Sequence, residues 1–190
     1  MYSNQFPFCP YLMNQPDYRY FYITRKNTSI KFAYFSGTVT RIENYYISKD
    51  TSEGCYKLMT LESTDKGDVN FVISPQTYFV DHKAIAVGDV VTGFYNANEP
   101  VPLIYPPQYN AIVIAKDTQN QNVTVDYFNN QLISSDGNLK LNIDSSTKII
   151  LTNDQPFSIY PKNRNLIVVY GPTTKSIPAQ TTPYKIVVLC

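Results

Sequence analysis

The sequence predicts an all-β protein: two small β-barrel or sandwich domains in tandem behind an extended N-terminal arm. Three observations carry that prediction. Tyr and Phe are abundant, 17 and 10 of 190 residues, and aromatic side chains suit the half-buried surface of a pleated sheet. From about Lys31 onward, short apolar runs of strand length alternate with Gly, Pro, Asn and Asp clusters. The order of features in the first half then recurs in the second.

Residues 1–30 form the arm. Pro7, Pro10 and Pro16 interrupt any continuous hydrogen-bond ladder, and Asn, Gln and Tyr dominate between them. Such a segment cannot bury enough of its own surface to fold alone. Fully extended, ~25 residues reach ~80 Å, well beyond one small domain. Its one strand-like run is Tyr18-Arg19-Tyr20-Phe21-Tyr22-Ile23-Thr24. Two readings stand: a tail preceding a first strand, or an arm that adds to a neighbour's sheet edge. In the second, Phe6, Phe8, Tyr11, Tyr18, Tyr20 and Tyr22 become buried.

The first domain is expected over residues 31–117. Residues 35–42 read as a strand. Residues 55–62 alternate, with Tyr56, Leu58 and Thr60 on one face. Asp65-Lys66-Gly67-Asp68 marks a hairpin into residues 69–73. Residues 77–80 are strand-like, and residues 81–87 have room for one helical turn. Gly88-Asp89 then launches the β-branched run Val90-Val91-Thr92-Gly93-Phe94-Tyr95, a proline-rich loop reverses the chain, and residues 103–115 close the unit.

The second domain is expected over residues 118–190, as a degenerate repeat. Residues 143–150 lie over 73–80 at an offset of 70, residues 166–171 over 90–95 at 76, and residues 182–190 over 107–115 at 75. Upstream, Asn122 to Phe128 matches the first strand, with Ser134-Ser135-Asp136-Gly137-Asn138 as a turn. The changes in offset fall in loops, which tolerate insertion.

Gly37-Thr38-Val39, the alternating hairpin from Tyr56 to Ile73 and Val87-Gly88-Asp89-Val90-Val91 together resemble an OB-type small β-barrel. The second half departs from that pattern, lacking Gly-Asp before Leu166. The resemblance implies a sheet face on which bases or sugars stack against aromatics. Phe32, Tyr34, Phe35, Tyr45 and Tyr46 could supply it, with Lys31, Arg41 and Lys49 nearby. The Tyr-, Asn-, Gln- and Pro-rich N-terminus is also similar in composition to coat and appendage proteins of endospores.

Charge argues against a polyanion as principal partner: the net charge is only +1, whereas phosphate contacts demand a basic excess. A glycan remains an open alternative. The N-terminus lacks the basic and apolar regions of a secretion signal, and no apolar run approaches the ~20 residues that cross a bilayer. The expectation is cytoplasmic synthesis, no membrane span, and exposure on a spore or cell surface only after lysis of the mother cell.

No constellation for catalysis is visible. His82 is the single histidine, no Gly-x-Ser-x-Gly elbow exists, and the seven glycines are scattered rather than gathered in a phosphate loop. Asp65-x-x-Asp68 lacks the ligand spacing of a calcium loop. Neither cofactor nor metal is expected. Cys9, Cys55 and Cys190 cannot all pair within one chain and have no C-x-x-C spacing. They are either reduced thiols or, lying at accessible places, bridges between molecules. The loop from Pro100 to Tyr109 holds four prolines and presents Leu103, Ile104, Tyr105 and Tyr109, which a barrel rim or another subunit must cover.

These features favour a non-enzymatic, self-assembling structural protein forming filaments or a surface layer. Its copies would be joined by arm docking and by disulfides from Cys9, Cys190 and Cys55. The alternative is a monomeric OB-like module that binds glycan or single-stranded nucleic acid.

Overall fold

A computed structural model describes residues 30–46 and 54–190. The fold is all-β, and the described residues contain no α-helix. In the first half, β1 (Phe32–Tyr45), β2 (Tyr56–Ser63), β3 (Gly67–Ile73), β5 (Val90–Asn96) and β6 (Gln108–Lys116) close into a five-stranded barrel. β1 pairs antiparallel with both β2 and β5, and β5 pairs antiparallel with β6. The ring shuts where β3 meets β6 in parallel, Phe71 opposite Tyr109. A two-residue strand, β4 (Tyr78–Phe79), runs parallel along the same edge of β6 as β3, further along the strand and opposite the edge that β5 takes.

The sequence dictates this closure at particular residues. Gly67 turns the β2–β3 hairpin at φ +76°, a conformation that L side chains rarely adopt. Gly93 lies directly over the Phe71 ring, where a Cβ would stand 2.6 Å from it. Phe71, Leu61, Met59, Val39 and Val91 fill the interior. On β2 the core therefore takes Met59 and Leu61. The face of Tyr56, Leu58 and Thr60 keeps only Thr60 buried, where its hydroxyl donates to Asn70 Oδ1 at 2.8 Å. The Gly88-Asp89 turn ties β1 to β5: Val39 N–H donates to the Asp89 carbonyl, and Gly88 N–H to the Val39 carbonyl, both at 2.8 Å.

The Asp89 carboxylate accepts from Lys116 Nζ at 2.7 Å and from Ala86 N–H at 2.9 Å. The Lys116 hydrogen bond, seconded by Ala86, holds its carboxyl below the ordinary 3.8. A depressed folded-state value contributes stability that is present above pH ~4 and lost as pH falls through the folded value. Thermal melts from pH 6 down to pH 2 should show Asp89→Asn losing less of its melting temperature in that acid window than the parent. Equal losses would contradict this account.

The second half contains β7 (Asn122–Phe128), β8 (Leu139–Leu141), β9 (Lys148–Leu151), β10 (Arg164–Tyr170), β11 (Ala179–Thr181) and β12 (Pro183–Leu189). Its four-stranded sheet, β7-β10-β12-β9, reproduces the order β1-β5-β6-β4. The parallel β8–β11 pair, Lys140 opposite Gln180, stands where Asn70 opposes Gln108. The β2 counterpart shrinks to isolated bridges, Phe128 with Ser134 and Ile133 with Lys140. The same circuit of pairings thus recurs in reduced form.

Hydrogen bonds fix the correspondence between the halves. Thr77 Oγ1 donates to the Ala111 carbonyl at 2.8 Å, and Thr147 Oγ1 to the Pro183 carbonyl at 2.9 Å. The hairpin glycines Gly67 and Gly137 share a positive φ, +76° and +74°. Both pairs of residues stand 70 apart, as read from sequence. The closing strands differ from that reading: Ala111 corresponds to Pro183 and the cis bond Tyr105-Pro106 to Ile177-Pro178, an offset of 72 rather than 75. For β5 and β10 the irregularities after Phe94 and Val169 give 75 rather than 76. Alternating apolar residues leave such slips open, and only main-chain pairing resolves them.

Three clusters make the core. One fills the barrel, and one, around Phe128, Leu132, Leu166 and Ile186, belongs to the second half. The third is shared: Tyr78, Val80, Phe94 and Val113 pack with Val125, Ile150, Ile167 and Val187.

Candidate functional site

The chain between β4 and β5 departs from sequence expectation. The expected turn of helix within residues 81–87 is a three-residue turn, Val80–His82, in which Asp81 and His82 adopt left-handed backbone conformations, φ 58° and 50°. Two consecutive non-glycine residues there cost of order 1–3 kcal/mol each and persist only where surroundings hold them. Here the second half holds them. Asp81 is paired with Lys185, and His82 Nε2 lies 3.0 Å from Asp154 Oδ2. The His82 ring also stands edge-on to Tyr78, with centroids 5.4 Å apart.

Beside this turn lies an open groove of about 860 Å³. Ile42, Ile73, Phe79, Ile85, Ile112 and Leu189 give it an apolar lining, with Lys57, His82 and Lys83 among its polar members. Tyr78 also lines it, and the residue is only 7 % exposed. Its hydroxyl is fully buried and has no hydrogen-bond partner among the described residues. Burial first, then the Asp154 and Asp81 carboxylates, pushes its pKa up to about 12. The phenol therefore stays protonated and can donate. An unmet buried donor costs about 1–3 kcal/mol, so it calls for an acceptor.

A second feature is a pair of exposed loops. Between β5 and β6, Leu103 is fully exposed, Tyr105 is 80 % exposed and Ile104 is more than half exposed. In the corresponding loop of the second half, Ile177 is 93 % exposed. Each loop carries a cis X-Pro bond at the matching place. Tyr109 does not belong with the exposed set. It sits in β6, half-buried, stacked on Tyr95 at 4.0 Å and tilted against Phe71.

The remaining predicted residues separate. Cys55 and Cys190 are free and exposed. Cys9, Phe6, Phe8, Tyr11, Tyr18, Tyr20 and Tyr22 lie outside the described residues. The five aromatics proposed as a stacking platform do not share one exposed surface. Phe35 is buried, Phe32 packs on the shared core, Tyr45 accepts from Gln108 Nε2 at 3.0 Å, and only Tyr34 and Tyr46 are exposed. Lys66 stands over the Tyr34 ring at 5.9 Å.

Sequence reasoning did not find Tyr78 or the groove. Tyr78 reads as one more strand aromatic, and nothing local marks its hydroxyl as unmet. Among the described residues, no group of three His, Cys, Asp or Glu side chains is placed to hold a metal ion, and no helix is long and apolar enough to cross a membrane. Compared with known proteins, the chain matches no family model and no curated sequence.

Proposed function

We propose that this protein is a non-enzymatic, self-associating structural subunit whose copies join into a filament or surface layer. The observation that carries the reading is the pair of loops at Leu103–Tyr105 and Ile177, which hold large apolar side chains in water. Proline-rich loops of this kind lose little entropy on docking, and contiguous apolar exposure marks contact surfaces. A contact between one such loop and a different patch on the next copy is heterologous. It does not close, so it propagates.

The arm supplies a second contact, with its aromatics docking on a neighbour. The ring order β1-β2-β3-β6-β5 supports an OB-type assignment for the first barrel. In this reading the barrel serves as scaffold rather than as a base-binding face. The free, exposed thiols of Cys55 and Cys190 support disulfide bridging between copies as part of this reading. An endospore coat or appendage, assembled in the mother cell and oxidised once exposed, fits the Tyr-, Asn- and Pro-rich arm.

Electron microscopy of concentrated protein, with non-reducing gels beside it, tests the reading. Polymers or ladders are expected, and Leu103→Ser/Tyr105→Ser/Ile177→Ser should shorten them while leaving the melting temperature within a few degrees. Monomers alone in both measurements, unchanged by deletion of residues 1–25, would end it.

A further inference from the structure

We propose that the groove beside Tyr78 is the receptor for the segment Phe6-Pro7-Phe8-Cys9-Pro10-Tyr11 of a second copy. The proposal rests on the self-association reading and names its site.

Three observations converge. First, the groove is of the size that small ligands fill, about 300–1,000 Å³, which suits a few side chains rather than a folded domain. Second, its lining is apolar, and residues 1–16 contain no charged side chain. The two phenylalanines supply the apolar area, and the prolines bring no N–H that would need a partner.

The third observation concerns position. Leu189 lines the groove, and the next residue, Cys190, is an exposed free thiol. A segment seated with Phe6 and Phe8 in the groove brings its Cys9 to the groove mouth, beside Cys190. The chain between Phe8 and Ile30 can span roughly 70 Å, enough to reach another copy. Oxidation there joins the two sulfurs: each thiol gives up a proton and an electron, and dioxygen is reduced to hydrogen peroxide.

The test uses the full-length protein, mixed from ¹⁴N- and ¹⁵N-labelled batches and oxidised in air, with linked peptides identified by mass spectrometry. A Cys9–Cys190 link joining differently labelled copies is expected. Cys55→Ser should leave it in place. Tyr78→Phe should raise the melting temperature of the monomer, because the unmet buried donor is gone. Ile85→Glu, at the groove lining, should abolish the link while the variant still melts cooperatively.

A Cys9–Cys190 link confined to identically labelled copies overturns the proposal by placing the segment on its own chain. Links from Cys9 to Cys55 or to another Cys9, with assembly intact, overturn the groove and leave self-association standing. Absence of both links and assembly would remove the underlying reading as well.

Discussion

Phe71→Ala is expected to lower the unfolding free energy by about 3–5 kcal/mol, measured by urea denaturation at neutral pH. The residue is fully buried at the centre of the barrel and packs against the rings of Tyr95 and Tyr109, 6.0 and 6.2 Å away. Its removal leaves a cavity that the hydrogen-bonded ring of strands cannot collapse to fill. Gly93→Ala alone should cost about 1–3 kcal/mol, because the added methyl meets the Phe71 ring at 2.6 Å. In the Phe71→Ala background that ring is absent, and Gly93→Ala should cost far less. The double-mutant cycle should therefore show coupling of about 1 kcal/mol or more. Additive effects would mean that Phe71 does not lie over Gly93.

The second large effect is expected at Ile167→Ala, about 2–5 kcal/mol, with consequences in both halves. Ile167 is fully buried in the shared cluster, where Phe94 and Val113 of β5 and β6 meet β10 and β12. If that cluster couples the halves, denaturation remains a single transition. Amide exchange then accelerates in β5 and β6 as well as in β10 and β12. Acceleration confined to residues 122–189 would show instead that the second half opens alone.

The two substitutions bear on what a reader of the sequence could and could not see. The strands were legible because strand formation is local: β-branched and aromatic runs between turn residues announce themselves. The hairpin at Asp65-Lys66-Gly67-Asp68 was legible because a positive φ calls for glycine. The repeat was legible in outline, through Thr77 and Thr147 above all, yet its register in the closing strands was misplaced by three residues. The residue pairing of Ala111 with Tyr95 sets that register, and it is not a property of composition. Tyr109 was misjudged for a similar reason: read as part of a proline loop, it is held by stacking on Tyr95, a residue of another strand.

The candidate site divides in the same way. The exposed loop at Leu103, Ile104 and Tyr105 followed from its prolines, since a stretch that cannot join a ladder tends to stay outside one. The groove and the Tyr78 hydroxyl could not follow from sequence, because they exist only where the turn at Asp81 and His82 meets Asp154 and Lys185.

What the sequence by itself determined is therefore the β class, the order of strands, the reuse of one plan in the second half and the apolar loop at Leu103–Tyr105. Each of these rests on neighbours along the chain, where side-chain period and backbone preference decide. Tertiary structure alone decided the parallel closure of β3 on β6, the inward face of β2, the core common to both halves and the donor left unmet in the groove. These depend on which distant segments exclude water from one another, and that is settled only when the ring of strands has closed.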